Sequence, residues 1–244
     1  MEPALSMTTT TRTTVNGFER VVADIRERLV SGALRKGDVL PSEREFSQQL
    51  GVSRPTLREA LRSLSILGVV EIRHGAGTVI SAPDVGVLGD FLSFALAQDG
   101  GSFDEILEAR IAIECQAVRL ATLRAGPADF ERLRAHADAI AETINTPVEG
   151  ARADYHFHMA MVQASGASAL RTMYVAVADL LQRSHLSRRL RTSADDATRN
   201  RIVEDHYLIL QAISEGDPDA AERKVREHFE IGRRFRREES VRRT

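Results

Sequence analysis

Four side chains in the second half of the chain have the types and spacing of a metal site. Asp154 and His158 stand four apart in Asp154-Tyr155-His156-Phe157-His158. Four residues advance about 400° around a helix, so both point from one face, one turn apart. His156 falls about 200° round from Asp154 and points elsewhere. His206 and His228 flank a turn centred on Asp217, each eleven residues from it. In an antiparallel helix hairpin they stand at one height, roughly 16 Å from the turn. Three imidazoles and one carboxylate suit a borderline divalent ion, zinc first, with nickel and manganese as alternatives. The Asp154–His158 pair also has the spacing of a simple charged hydrogen bond. His136 and His185 read as ordinary helix histidines.

A second group has the chemistry of nucleic-acid recognition. Ser53, Arg54, Pro55, Thr56 and Arg58 open a short helix that follows a tight turn at Gly51. In a helix-turn-helix the first residues of the second helix reach base edges in the major groove. Arginine bonds guanine O6 and N7 bidentately, and serine and threonine hydroxyls donate to phosphate. Arg58 has the alternative of an ion pair within its own helix, near Glu59.

These residues need elements to hold them. Phe18, Val21, Val22, Ile25 and Leu29 recur at helical spacing and predict a helix over 17–31. Ser42, with Glu43 and Glu45 behind it, starts a second helix that stops at Gly51; Ser53 caps a third to about Leu67. Residues 69–73 and 78–81 read as two strands, with His74-Gly75-Ala76-Gly77 as the hairpin tip. Ser81-Ala82-Pro83-Asp84 reads as a linker. Beyond it strand signals vanish. Helices are predicted at about 85–98, 103–125, 127–145, 148–165, 167–190, 196–215 and 218–238, punctuated by glycine and proline. The expected fold is mainly α. It begins with a winged helix-turn-helix of three helices plus a β-hairpin wing over 16–82. An all-α antiparallel bundle over 83–244 follows, and 1–15 is a Thr-rich disordered tail.

The run Leu40-Pro41-Ser42-Glu43-Arg44-Glu45, then Gly51 through Leu61, then Gly68-Val69-Val70 and His74-Gly75-x-Gly77 closely resembles the GntR family of bacterial regulators. The resemblance covers about residues 18–82. It implies DNA contacts by Arg44, Arg54 and Arg58, phosphate contacts by Ser53 and Thr56, and minor-groove insertion by a wing at His74-Gly75. Asp154-x-x-x-His158, then His206, then His228 resembles the metal-binding pattern of the FadR branch, whose helical effector domain is of the FCD type. Arg110, in Glu108-Ala109-Arg110-Ile111-Ala112-Ile113-Glu114, resembles the family arginine that faces the cavity and holds a carboxylate effector. Its spacing to Glu114 is also that of a helix-surface ion pair. Ser165-Gly166 is followed by Ala167 where the family often has Asn; if that Asn helps hold the effector, this pocket holds it differently.

Composition sets the bounds. A chain of 244 residues with 43% hydrophobic content suits two small globular domains. Its net charge is −2, yet residues 1–82 carry eleven Lys and Arg against nine Asp and Glu. Cys115 is the single cysteine, which excludes an intrachain disulfide and fits a reducing cytoplasm. No apolar run approaches the ~20 residues of a membrane span. The arginines between Arg233 and Arg243 read as a solvated helix end. The expected protein is a homodimeric regulator, a repressor, on a palindromic DNA operator, controlled by a small organic acid at the metal. The alternatives are a metal-dependent enzyme and a metal sensor. No general base accompanies the His and Asp residues by motif, which weighs against the enzyme.

Overall fold

The computed structural model describes residues 16–73, 75, 77–98, 103–191 and 196–241, with side chains set aside at 103–105, 179, 181, 183–191 and 231–241. His74, the Thr-rich N-terminus, and the side chains of His185 and the C-terminal arginines lie outside this description. The chain divides into two compact units, Met1–Asp84 and Val85–Thr244. As the patterning predicts, the fold is mainly helical.

The first unit is three helices and a hairpin: α1 (Gly17–Val30), α2 (Glu43–Leu50), α3 (Arg54–Ile66), β1 (Val70–Arg73) and β2 (Gly77–Ile80). Each helix start is written in its cap. Asn16 pairs reciprocally with Glu19, and Ser42 with Glu45, so side chains satisfy backbone N–H groups that lack helical partners. Ser53 Oγ accepts from Thr56 N–H at 3.2 Å, with Pro55 in the first turn. Gly51 ends α2 at φ +60°, a left-handed conformation that strains any residue with a Cβ. The Arg20 guanidinium of α1 donates to Leu50 O at 3.3 Å, bracing the same turn. Val21, Ile25, Phe46, Leu57, Ala60, Leu64 and Ile80 form the core. The Val, Ile, Leu and Phe side chains among them stabilise by about 1.5–3 kcal/mol each. The strands pair antiparallel, Val70 opposite Ile80 and Arg73 opposite Gly77. Leu40 N–H donates to Thr78 O, and the segment before α2 thereby borders β2.

The second unit is all helical: α4 (Gly86–Gln98), α5 (Phe103–Arg124), α6 (Pro127–Thr143), α7 (Pro147–Ala164), α8 (Ser168–Arg191), α9 (Asp196–Glu215) and α10 (Pro218–Val241). Helix α5 packs against α7, α8, α9 and α10 and so forms the axis of the unit. α9 and α10 are an antiparallel hairpin. The Asp217 carboxylate accepts from Asp219 and Ala220 N–H, and Pro218 opens α10. Helix α4 lies close on α8 because Gly89 has no side chain: a Cβ there would come within 2.9 Å of Ala176 O. The core carries Leu107, Ile111, Val118, Leu133, Phe157, Met161, Ile209, Val225 and Phe229.

Candidate metal centre and DNA-reading surface

Asp154 and His158 project from α7, His206 from α9 and His228 from α10. One ligand atom from each lies within 4.8 Å of all the others. The equal height of His206 and His228 holds: their ring centroids are 4.5 Å apart. His158 stands 5.4 Å from His206 and 5.2 Å from His228 by centroid. Asp154 Oδ1 is 3.5 Å from His206 Nε2. His158 and His206 are fully buried, and the Phe157 ring meets His206 edge-on at 4.9 Å.

The polar atoms explain what this cluster can hold. His158 Nε2, His206 Nε2 and His228 Nδ1 are buried and have no hydrogen-bond partner. Buried nitrogens are rarely left so, because each forfeits its hydration for nothing in return. A cation in the cluster would satisfy the two Nε2 atoms, and the donor set of three imidazoles and a carboxylate fits a divalent ion of zinc's type. The opposite ring nitrogens of His158 and His206 are anchored. His158 Nδ1 meets Glu114 Oε2 at 2.6 Å, and His206 Nδ1 meets Ile202 O at 2.7 Å. His228 Nδ1 lies 3.8 Å from Asp205 Oδ2, itself buried and unpartnered. Burial holds His158 below the ordinary imidazole value and His228 well below it. Both therefore present the neutral form that a metal requires.

Arg110 points into the same region from α5. Its side chain is 3% exposed, and its Nε donates to Glu114 Oε1 at 2.5 Å. Nη2 is 4.0 Å from Asp154 Oδ2, and the guanidinium carbon lies 4.9 Å above the Phe229 ring. Burial alone would raise Glu114, but Arg110 and His158 outweigh it and hold the carboxyl below its usual value. Burial pushes the Tyr174 hydroxyl, in the field of Arg110, well above its ordinary range. The sequence offered a pocket arginine or a surface pair with Glu114. The pair forms, but not at the surface: both partners are buried beside the histidines. Asp205, Tyr174 and Phe229 also stand against the cluster or Arg110, and no sequence motif singles them out.

His136 and His156 lie apart from the cluster, stacked on each other at 5.6 Å. Ala167 N–H donates to Ser165 Oγ at 3.1 Å. Cys115 is buried, and burial pushes its thiol up to about 11, which leaves it a packing residue.

In the first unit the tight turn presents the start of α3. Arg44, Ser53, Arg54, Arg58 and Gly75 are exposed, and Thr56 is half-buried. Ser53 Oγ and Thr56 Oγ1 lie 2.7 Å apart, so the two hydroxyls act as one unit. Arg58 Nε bonds Glu43 Oε2 at 2.8 Å, tying α3 to α2. Its partner is therefore on another helix, not its own.

Comparison with known proteins matches this geometry at both ends. Residues 18–80 match the gntR family of bacterial regulatory proteins, and residues 105–231 match the FCD domain. The chain belongs to the GntR family. Like its relatives in that family it is a DNA-binding transcriptional regulator, not an enzyme. It is 33% identical over 214 residues to a regulatory protein ascribed to the L-lactate dehydrogenase operon of Escherichia coli, covering 85% of this chain and 82% of that one. It is 28% identical to the transcriptional repressor NanR of Cronobacter sakazakii, over 86% of this chain and 82% of the relative. Among solved structures, a GntR protein of Streptococcus agalactiae superposes with a TM-score of 0.64 at 24% identity, over 89% of this chain and 99% of that one. That likeness bears on the fold alone. Among the described residues no helix is long and apolar enough to cross a membrane.

Proposed function

We propose that this GntR regulator is a homodimeric repressor, released from a palindromic operator by a small organic acid held on a divalent ion. Zinc is the first candidate for that ion. The observation that carries the reading is the convergence of three histidines, two of them with buried, unpartnered Nε2 atoms, and Asp154 beside a buried arginine. Asp154, His158, His206 and His228 would hold the ion, leaving one or two positions open. The bound ion supplies a Lewis-acid anchor for a carboxylate. Arg110 would contribute a guanidinium on the same side, the geometry that favours carboxylate recognition. Two relatives support the assignment in kind: one is named for an L-lactate dehydrogenase operon and the other as a repressor.

On DNA, Arg54 would read a base edge and Arg44 would contact the groove. Ser53 and Thr56 would bind phosphate, and Arg58 would first leave Glu43. The wing at His74-Gly75 would enter the minor groove. One small head makes few contacts, and two-fold symmetry doubles them, which is the case for a dimer on a palindrome. The effector must bind one arrangement of the heads better than the other, or it shifts nothing.

The test begins with metal analysis of the purified full chain and selection of its site from randomised duplex DNA. Fluorescence anisotropy then follows the duplex while zinc and sodium L-lactate or acetate are added in turn. Release by acid only in the presence of zinc is expected. Release by zinc alone makes the protein a metal sensor. Release by acid from the chain lacking both His206 and His228 places the effector elsewhere.

A further inference from the structure

Glu114 has two carboxylate oxygens, and each is committed to a different half of the site. Oε2 meets His158 Nδ1 at 2.6 Å, and Oε1 accepts from Arg110 Nε at 2.5 Å. The side chain is 0% exposed, so no water competes for either bond. A carboxylate only accepts, so the proton in the first bond resides on Nδ1. His158 is thereby fixed as the tautomer whose lone pair lies on Nε2, the buried atom that has no partner. We propose that Glu114 is a positioning residue serving both the ion and the anion: it orients and polarises His158 as a metal ligand and holds the Arg110 guanidinium toward the same centre.

This inference rests on the metal reading above. The first consequence is that the negative charge of Glu114 raises the basicity of His158 toward the ion. Such outer carboxylates change metal affinity by about 10–100-fold. The second is coupling. Because α5 supplies both Glu114 and Arg110 while α7 supplies His158, neutralising one carboxylate disturbs ion and anion together. A purely structural salt bridge predicts neither effect.

The experiment compares the full chain with Glu114→Gln, which preserves shape and removes charge. Cobalt(II) is the probe ion, titrated in competition with a chromophoric chelator into protein stripped of metal. Acetate is then added while the cobalt visible band is followed. Glu114→Gln is expected to bind cobalt 10–100-fold more weakly and to lose most of the acetate response, with its far-ultraviolet circular dichroism unchanged. Cobalt affinity within twofold of the parent overturns the proposal. If the variant does not fold, the parent decides. In a long-range proton–nitrogen spectrum of the zinc-loaded chain, a proton on His158 Nδ1 supports the role, and one on Nε2 overturns it. A parent that binds no divalent ion refutes the metal reading, a result distinct from an unchanged variant.

Discussion

Removing the Arg110 guanidinium should damage the second unit far more than an ordinary helix ion pair would. Arg110 and Glu114 are 3% and 0% exposed and meet at 2.5 Å, with Asp154 4.0 Å on the other side. An exposed pair at this spacing contributes about 0.3–0.5 kcal/mol. A buried one is different, because Arg110→Met leaves the Glu114 charge without water or counter-charge, at a cost of about 3–5 kcal/mol. Coulomb attraction at ~4 Å and an effective dielectric of ~20 is about 4 kcal/mol, the same scale. The assay is urea unfolding of metal-free protein, followed by helical circular dichroism. With a slope of about 1–3 kcal/mol per molar urea, the midpoint should fall by roughly 1 M or more. Adding Glu114→Gln to Arg110→Met removes the stranded charge and should recover much of the loss. A loss below about 0.5 kcal/mol in the single variant, or a double variant less stable than it, would refute the claim that Glu114 is buried as an anion.

Three further outcomes follow from the same geometry. His158 and His228 are depressed by burial, so the folded chain binds fewer protons than the unfolded one. Metal-free stability should be full above about pH 6.5 and fall below it by up to ~1.4 kcal/mol per pH unit per imidazole; a flat profile from pH 7 to 5.5 contradicts this. Arg54→Ala should cost about 1–3 kcal/mol of specific DNA binding and relax selectivity at a guanine, and an unchanged selected sequence refutes that role. Asp154, Glu114 and Arg110 together carry one net negative charge, which a divalent ion turns into one positive charge. The loaded site should therefore prefer acetate to malonate in the cobalt titration, and the opposite order would show an additional cation facing the site.

Most of this architecture is legible in the sequence because local rules and tertiary packing agree. The caps at Ser42 and Ser53, the left-handed Gly51 and the Asp217 turn each act within a few residues. Periodicity then places Asp154 with His158, and hairpin symmetry places His206 with His228, since both follow from a fixed rise per residue. The partner of Arg58 was not legible in the same way. Glu43 is fifteen residues away on another helix, and only the packing of α2 on α3 brings it to 2.8 Å.

Arg110 and Glu114 show where pattern reading had more to give. Spacing of four marks an ion pair equally well on a surface or in a core, so the spacing alone cannot place it. The neighbours on α5 can. Leu107, Ile111, Cys115, Val118 and Ala121 are buried at the three- and four-residue intervals of a core stripe. Arg110 and Glu114 fall inside that stripe, each just before a buried residue of it. A helix that puts an arginine and a glutamate on its apolar face must bury both or twist that face into water. Here α7, α8, α9 and α10 all pack on α5, so burial is enforced. Buried ion pairs contribute little net stability compared with apolar residues of the same volume, and such a pair is weak evidence of a stability role. The pair is better accounted for by what lies against it: a histidine whose free nitrogen points to three other ligands, and an aspartate 4.0 Å from the guanidinium. In this chain the charged interruption of a core stripe marks the same cluster that the histidines mark.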